Sequence, residues 1–231
     1  MKKPLVFIGT NSNLFKLAEL VIRAGYSLAG IIDDDYYGQE SFKGLPVIGD
    51  EATLRAKAEF YKQKYQFICA TNWVPDDYEI AERNRAKRQR QLELMQQLEL
   101  DVATIVAPTA IVSRLSQLGP GTVVFDFATV EPQVSVGSNT LIYDYAIVGH
   151  ESVIGNNVVL QRYCLVTSLV TVEDNVYMGL GSRVSRSDVV VSKNTFIHPD
   201  LTLLRGTLPN EHVSLAGHDL RKVYHKVEVH K

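Results

Sequence analysis

The sequence predicts two units of different kind: a small α/β unit over residues 1–104 and a three-sided parallel β-helix over residues 105–231. Three observations predict it. In the first part, short apolar runs alternate with a segment whose apolar residues have helical spacing. From Val106 onward an aliphatic residue recurs at every sixth position. Between the two lies a charged stretch with no apolar run.

Leu5-Val6-Phe7-Ile8 has the continuous apolar character of a parallel strand covered on both faces. A turn-rich loop, Gly9 to Asn13, follows. Leu14, Leu17, Ala18, Val21 and Ile22 then fall on one helix face, and Gly25 supplies the stop. Leu28 to Ile32 forms a second strand ending in Asp33-Asp34-Asp35, and Gln66 to Thr71 a third. This β-α-β order predicts a Rossmann-like nucleotide-binding domain. There the loop carrying Gly9, Asn11 and Asn13 precedes a helix N-terminus, whose N–H groups favour an anion such as a pyrophosphate. Asp33, Asp34 or Asp35 would accept hydrogen bonds from a base or ribose.

From Pro75 to Leu98 the chain is rich in Glu, Arg, Lys and Gln, with Leu92, Met95 and Leu98 spaced for a helix. The run Arg83 to Arg90 is basic, but no aromatic residue interrupts it and Asp76, Asp77, Glu79 and Glu82 precede it. It therefore reads as a solvated helix face, in reach of a phosphate at most, and not as a nucleic-acid site.

The six-residue series runs from Val106 through Val112, Leu118, Val124 and Val130 to Val184, thirteen steps without a slip. Four residues after each member stands a small or β-branched residue, with few exceptions. Neither a helix nor a simple alternating strand has this period. A triangular coil of three six-residue sides does, with the aliphatic residue turned inward and each coil stacked on the next. Gly119, Gly137, Gly149, Gly155 and Gly179 follow the aliphatic position directly and are expected to ease the chain round its corners. The register breaks near Val189-Val190 and resumes at Val191, Ile197 and Leu203. In this phase Val148 and Ser152 point inward, so His150 projects outward near a corner. An outward imidazole suits proton removal from an attacking group, and Glu151 would orient or stabilise it.

Bulk properties narrow the classes. The chain of 231 residues is 45% hydrophobic and 22% charged with a formal charge of -2, which leaves no electrostatic footprint for nucleic acid or anionic membrane. It holds no apolar stretch of about 20 residues, so no membrane span is expected. The N-terminal apolar run is too short for a signal peptide. Cys69 and Cys164 are far apart and suggest neither a disulfide framework nor a zinc spacing, and a cytoplasmic location is expected. A hexapeptide-repeat carbonic anhydrase needs three histidines on neighbouring coils to hold zinc. The regular coils contain His150 alone, so no metal is expected.

The unbroken hexapeptide series, the strand-turn-helix start, Ile31-Ile32-Asp33-Asp34-Asp35, Val106-Ala107-Pro108-Thr109-Ala110 and Val148-Gly149-His150-Glu151-Ser152-Val153-Ile154-Gly155 together carry a family resemblance. Over nearly its whole length the chain resembles the left-handed β-helix sugar O- and N-acetyltransferases of the sialic acid O-acetyltransferase and bacillosamine N-acetyltransferase type. The resemblance implies acetyl-CoA as acyl donor, a nucleotide-linked sugar used for a surface glycan as acceptor, and a homotrimer with acetyl-CoA in the clefts between subunits. It makes His150 the general base and Glu151 its partner. Ser168, eighteen residues on, stands where the family has a glycine whose backbone N–H stabilises the thioester oxyanion. Arg183 and Arg186 are candidate contacts for the CoA phosphates, whose geometry a guanidinium matches. The chain also departs from the family. Thr10-Asn11-Ser12-Asn13 replaces a glycine-rich turn with a histidine, and Val159 stands where a second histidine is frequent. Gln161 to Ser168 replaces a small-residue stretch, with Tyr143, Tyr145 and Tyr163 adding bulk. Two readings are open: an active enzyme with a reshaped acceptor pocket, or a catalytically inactive binding or scaffold protein. Retention of His150-Glu151 in register favours the first. Leu208 to Gly217 resembles the strand that closes these helices, and His198, His212, His218, His225 and His230 read as surface or capping residues.

Overall fold

The computed structural model describes residues 2–11, 14–71, 78–215 and 223–227, the last five together with 78–82 and 215 as backbone only. The chain divides into two compact units, Met1–Ile105 and Val106–Lys231.

The first unit runs β1 (Leu5–Ile8), α1 (Leu14–Arg23), β2 (Leu28–Ile32), β3 (Ser41–Phe42), β4 (Leu45–Gly49), α2 (Glu51–Ala56), α3 (Ala58–Lys64), β5 (Gln66–Cys69) and α4 (Tyr78–Gln97). The apolar run of β1 is fully buried, as its composition requires. The sheet order is β3-β4-β2-β1-β5. The expected Rossmann-like domain is not what forms. The sheet is short and mixed, because β3 returns on β4 as an antiparallel hairpin through Lys43 and Gly44, both with positive φ. Among the described residues only α1 serves as a full crossover helix between adjacent parallel strands. A doubly wound domain needs two βαβαβ halves, and β2 reaches β4 here through a three-residue helical turn and the hairpin. The apolar pattern revealed the parallel strands but not this replacement of a second crossover helix.

The basic run also departs from expectation at one position. Arg83 and Arg90 are exposed, but Arg88 is the largest fully buried side chain among the described residues. Its guanidinium donates to the carbonyls of Thr71 at 2.8 Å and Cys69 at 3.4 Å. Carbonyls beyond the end of β5 need donors once α4 covers them, and a rigid five-donor fork supplies several at once.

In the second unit the strands from Ile105–Val106 to Thr202–Leu203 are two residues long and stack as a left-handed parallel β-helix of three sheets. One sheet has six strands, from Ile111–Val112 to Thr202–Leu203; one has five, from Gln117–Leu118 to Val190–Val191; the third begins at Ile105–Val106. The eighteen-residue register is direct: Thr129 pairs with Ile147, Ser135 with Val153 and Leu141 with Val159. From Val124 to Val184 the inward column, including Ile142, Leu160 and Met178, is buried in one continuous core, against which Val106, Val112 and Leu118 pack partly buried. Inward hydroxyls at the corners are satisfied coil to coil. Thr122 Oγ1 donates to Gly137 O at 2.7 Å and accepts the Thr140 N–H at 3.2 Å, and Thr140 and Ser152 repeat the pattern. The register slip is one residue taken up before Val190, after which Thr171 pairs with Val190 and Arg183 with Thr202.

The corner glycines do a different job from the one expected. The left-handed backbone position at successive corners is held by Phe127, Gln133, Asn139, Tyr145, Glu151, Asn157, Tyr163, Leu169 and Asn175 (φ between 53° and 62°). Gly149, by contrast, has no positive φ, and a Cβ there would lie 2.5 Å from the Ser168 nitrogen in the coil above. It is required for close stacking of the coils.

The strand Glu211–Leu215 closes the helix, pairing parallel with Phe196–Ile197 and antiparallel with Val223–Val227. Beside it the His198 and His212 Nε2 atoms lie 2.6 Å apart with ring centroids at 4.7 Å, so the rings point at each other and share one N–H···N bond. That bond needs at least one neutral ring. Burial holds His198 below the ordinary imidazole value. A histidine with a lowered folded-state pKa stabilises fully above its unfolded value near 6.5, and this contribution is lost as pH falls through the folded value. The melting temperature is therefore expected to fall as pH drops from about 7.5 towards 5.5. A His198→Asn variant should show a shallower slope of melting temperature against pH; an unchanged slope would remove the pair from the account.

Candidate active site

His150 sits in the corner that joins the six-stranded and five-stranded sheets, between Ile147–Val148 and Val153–Ile154. Its side chain is 49% exposed, as expected for an outward position. Nδ1 lies 3.2 Å from Glu151 Oε1. With the Nδ1 proton donated to that carboxylate, Nε2 presents its lone pair to solvent. The corner backbone is tied on both sides. Gly149 N–H donates to Val166 O at 2.8 Å, Glu151 N–H to Pro132 O at 3.1 Å, and His150 O accepts the Leu169 N–H at 3.0 Å. The His150 N–H donates to Glu131 Oε2 at 2.9 Å, a partner that sequence reasoning missed because it lies nineteen residues back.

Ser168 occupies the equivalent place one coil above, about 4.8 Å along the axis. Its backbone N–H donates to no acceptor among the described residues. The orientation of that peptide has a cause. The Thr167 carbonyl accepts the inward Ser152 hydroxyl at 3.0 Å, and in a trans peptide the following N–H points the opposite way, out of the coil. Arg186 lies on the same edge one coil higher again, and Arg183 on the adjoining six-stranded sheet. Both side chains are exposed and have no ion-pair or hydrogen-bond partner among the described residues. The structure thus lines up His150, Ser168 and Arg186 along one edge.

The tyrosines lie elsewhere in the single chain. Phe127, Tyr145 and Tyr163 stack at 5.0 and 5.2 Å on the corner between the third sheet and the six-stranded sheet, a different edge of the prism. Tyr143 is buried and stacks on Phe125 at 4.3 Å.

In the first unit, Gly9, Asn11 and the Asp33–Asp35 segment gather at the C-terminal ends of β1, β2 and β5. The Asn11 amide donates to the Ala70 carbonyl. Asn13 lies outside the described residues. Each aspartate has an internal partner. Asp33, its side chain wholly buried, accepts from Thr10 Oγ1 at 3.0 Å and from the Asp35 N–H at 2.9 Å. Asp34 accepts the Glu51 N–H at 2.8 Å, at the start of α2, and Asp35 pairs with Lys87 at 2.6 Å. Burial disfavours the Lys87 charge, but the Asp35 and Asp33 carboxylates outweigh it and its pKa stands above the ordinary lysine value. The same cluster contains Thr71, whose buried hydroxyl has no hydrogen-bond partner among the described residues. The basic run was the signal for Lys87; nothing in the sequence marks Thr71.

No protein-family model matches the chain, and no curated protein sequence does. Solved structures do. The acetyltransferase domain of PglB from Neisseria gonorrhoeae superposes with a TM-score of 0.77 at 20% identity, covering 92% of this chain and 96% of that one. WeeI from Acinetobacter baumannii gives 0.76 at 14% identity, covering 96% and 99%. PerB from Caulobacter crescentus, solved with CoA and GDP-perosamine, gives 0.60 at 22% identity, covering 91% and 92%. At these identities the likeness establishes a shared fold.

Proposed function

We propose that the chain is an acetyl-CoA-dependent N-acetyltransferase acting on the amine of a nucleotide-linked sugar, with His150 as general base. A hydroxyl acceptor is the less favoured form of the same reaction. The observation that carries this reading is the single edge holding an oriented imidazole and, one coil above, an outward backbone N–H with no other acceptor. Acetyl-CoA supplies the activated acyl group. His150 Nε2 removes a proton from the acceptor amine as it attacks the thioester carbonyl. The Ser168 N–H donates to the oxygen on which negative charge develops, and Glu151 stabilises the imidazolium. That imidazolium then returns the proton to the departing thiolate. The Arg183 and Arg186 side chains, exposed and without a partner among the described residues, suit the phosphates of the donor. Residues 1–104 would hold the nucleotide, with Gly9, Asn11, Asn13 and the Asp33–Asp35 turn as the binding set. CoA and GDP-perosamine bound together by PerB support a donor and acceptor of these classes.

The reading includes a homotrimer. Ile111, Leu115, Ile147, Val153 and Leu169, on the two sheets and the corner around His150, are all at least 40% exposed. Exposed apolar side chains along this edge favour burial against another copy of the chain. A cytoplasmic location accords with two buried, unpaired thiols, Cys69 and Cys164. Calorimetric titration with acetyl-CoA, alongside sedimentation, tests the proposal. One saturable site per chain in a particle of three times 25.8 kDa, with acetyl transfer to a nucleotide amino sugar, is the expected result. No binding at millimolar acetyl-CoA would overturn it in favour of a non-catalytic role.

A further inference from the structure

The coil-to-coil hydrogen-bond ladder leaves one N–H unused at the first residue of each corner. Along the edge that carries His150, these residues are Arg114, Pro132, His150, Ser168 and Arg186. Proline has no N–H to satisfy. The N–H groups of Arg114, Ser168 and Arg186 find no acceptor among the described residues. His150 alone on this edge is capped by a side chain, with Glu131 Oε2 at 2.9 Å from its nitrogen. Glu131 reaches up from the coil below, and the peptides on either side, at Gly149 and Glu151, are already held by Val166 and Pro132. The carboxylate therefore closes the last free peptide of the turn from which the imidazole projects.

We infer that Glu131 is a positioning residue for His150, an inference that rests on the acetyltransferase reading. It fixes the His150 peptide plane, and with it the Cα–Cβ direction that aims Nε2 at the acceptor. The bond also involves an ionised acceptor, which makes it stronger than a neutral one. Glutamine keeps a side-chain oxygen that accepts the same N–H; alanine keeps none. Misplacement of a catalytic group by about 1 Å costs on the order of 10²-fold in rate, and partial loosening should cost less.

The test compares Glu131→Gln and Glu131→Ala in steady-state acetyl transfer, with His150→Ala as reference. The expected result is a fall in kcat of roughly tenfold or more for Glu131→Ala. The KM for acetyl-CoA should stay near wild type, and Glu131→Gln should restore most of the rate. Circular dichroism melting checks that Glu131→Ala folds, and kcat is compared well below its midpoint. A folded Glu131→Ala with wild-type kcat, or a Glu131→Gln as slow as Glu131→Ala, would overturn the positioning role. If His150→Ala itself retains full activity, the acetyltransferase mechanism fails instead, which separates the two outcomes.

Discussion

Replacing His150 with alanine is expected to lower kcat for acetyl transfer by about 10²- to 10⁴-fold, the usual contribution of a positioned acid–base group. The acetyl-CoA dissociation constant and the melting temperature should barely move. The reason is geometric. The side chain is half exposed and its one described side-chain partner is Glu151, itself half exposed, so its removal leaves no cavity and no buried unpaired group. The predicted donor contacts, Ser168 N–H, Arg183 and Arg186, belong to other coils. Glu151→Gln should have a smaller effect, because the amide oxygen still accepts the Nδ1 proton while the charge that stabilises the imidazolium is lost. Parallel measurement of kcat and calorimetric affinity separates these roles. A His150→Ala enzyme with unchanged kcat would remove histidine base catalysis from the account.

Much of this edge was legible in the sequence because the hexapeptide phase is a geometric ruler. Once Val148 and Ser152 are assigned inward, His150 has no other place than outward at a corner. The same arithmetic puts Ser168 and Arg186 above it. The inward hydroxyls of Thr122, Thr140 and Ser152 occupy the small-residue positions that the phase predicted, and they satisfy corner peptides as buried polar groups must. Phase says nothing of side chains that reach across coils, and Glu131 was missed for that reason. Phase also does not separate the two uses of glycine. Mostly non-glycine side chains, with Gly121 and Gly181, take the left-handed corner positions, while Gly149 is needed for contact between coils.

The first unit was harder to read. Its parallel strands show as apolar runs, but the hairpin of β3 and β4 depends on Lys43 and Gly44 adopting positive φ in a two-residue turn. Ser41-Phe42 is too short to carry a strand pattern. Arg88 looked like one more charge on a solvated helix, because burial of a cation depends on which carbonyls the tertiary fold leaves unsatisfied. The internal engagement of Asp33, Asp34 and Asp35 has a similar origin. Carboxylates at strand ends serve the nearest free N–H and Lys87 first, so a ligand there would meet an already ordered turn.

Gly149→Ala tests the link between coil stacking and chemistry, and the expected effect is large on both. The added Cβ would lie 2.5 Å from the Ser168 nitrogen and 2.7 Å from the Thr167 carbonyl carbon. These are backbone atoms of the next coil, where the Thr167 N–H donates to the Val184 carbonyl and the Thr167 carbonyl accepts the Ser152 hydroxyl. Neither can swing aside as a flexible side chain would, so the coils must separate locally. Overpacking of this kind costs about 1–3 kcal/mol. It would also move the Ser168 N–H relative to His150, and loss of one oxyanion donor lowers kcat by about 10²- to 10³-fold. Gly137→Ala supplies the contrast. There a Cβ would lie 2.6 Å from the Gly155 carbonyl carbon, the same clash at a corner remote from His150 in the winding of the coil. Both variants should melt earlier than wild type by similar amounts. Only Gly149→Ala should lose activity at a temperature where both are folded. Equal activity in the two folded variants would mean that the Ser168 peptide has no part in the reaction, and the oxyanion donor would then have to be sought on another coil.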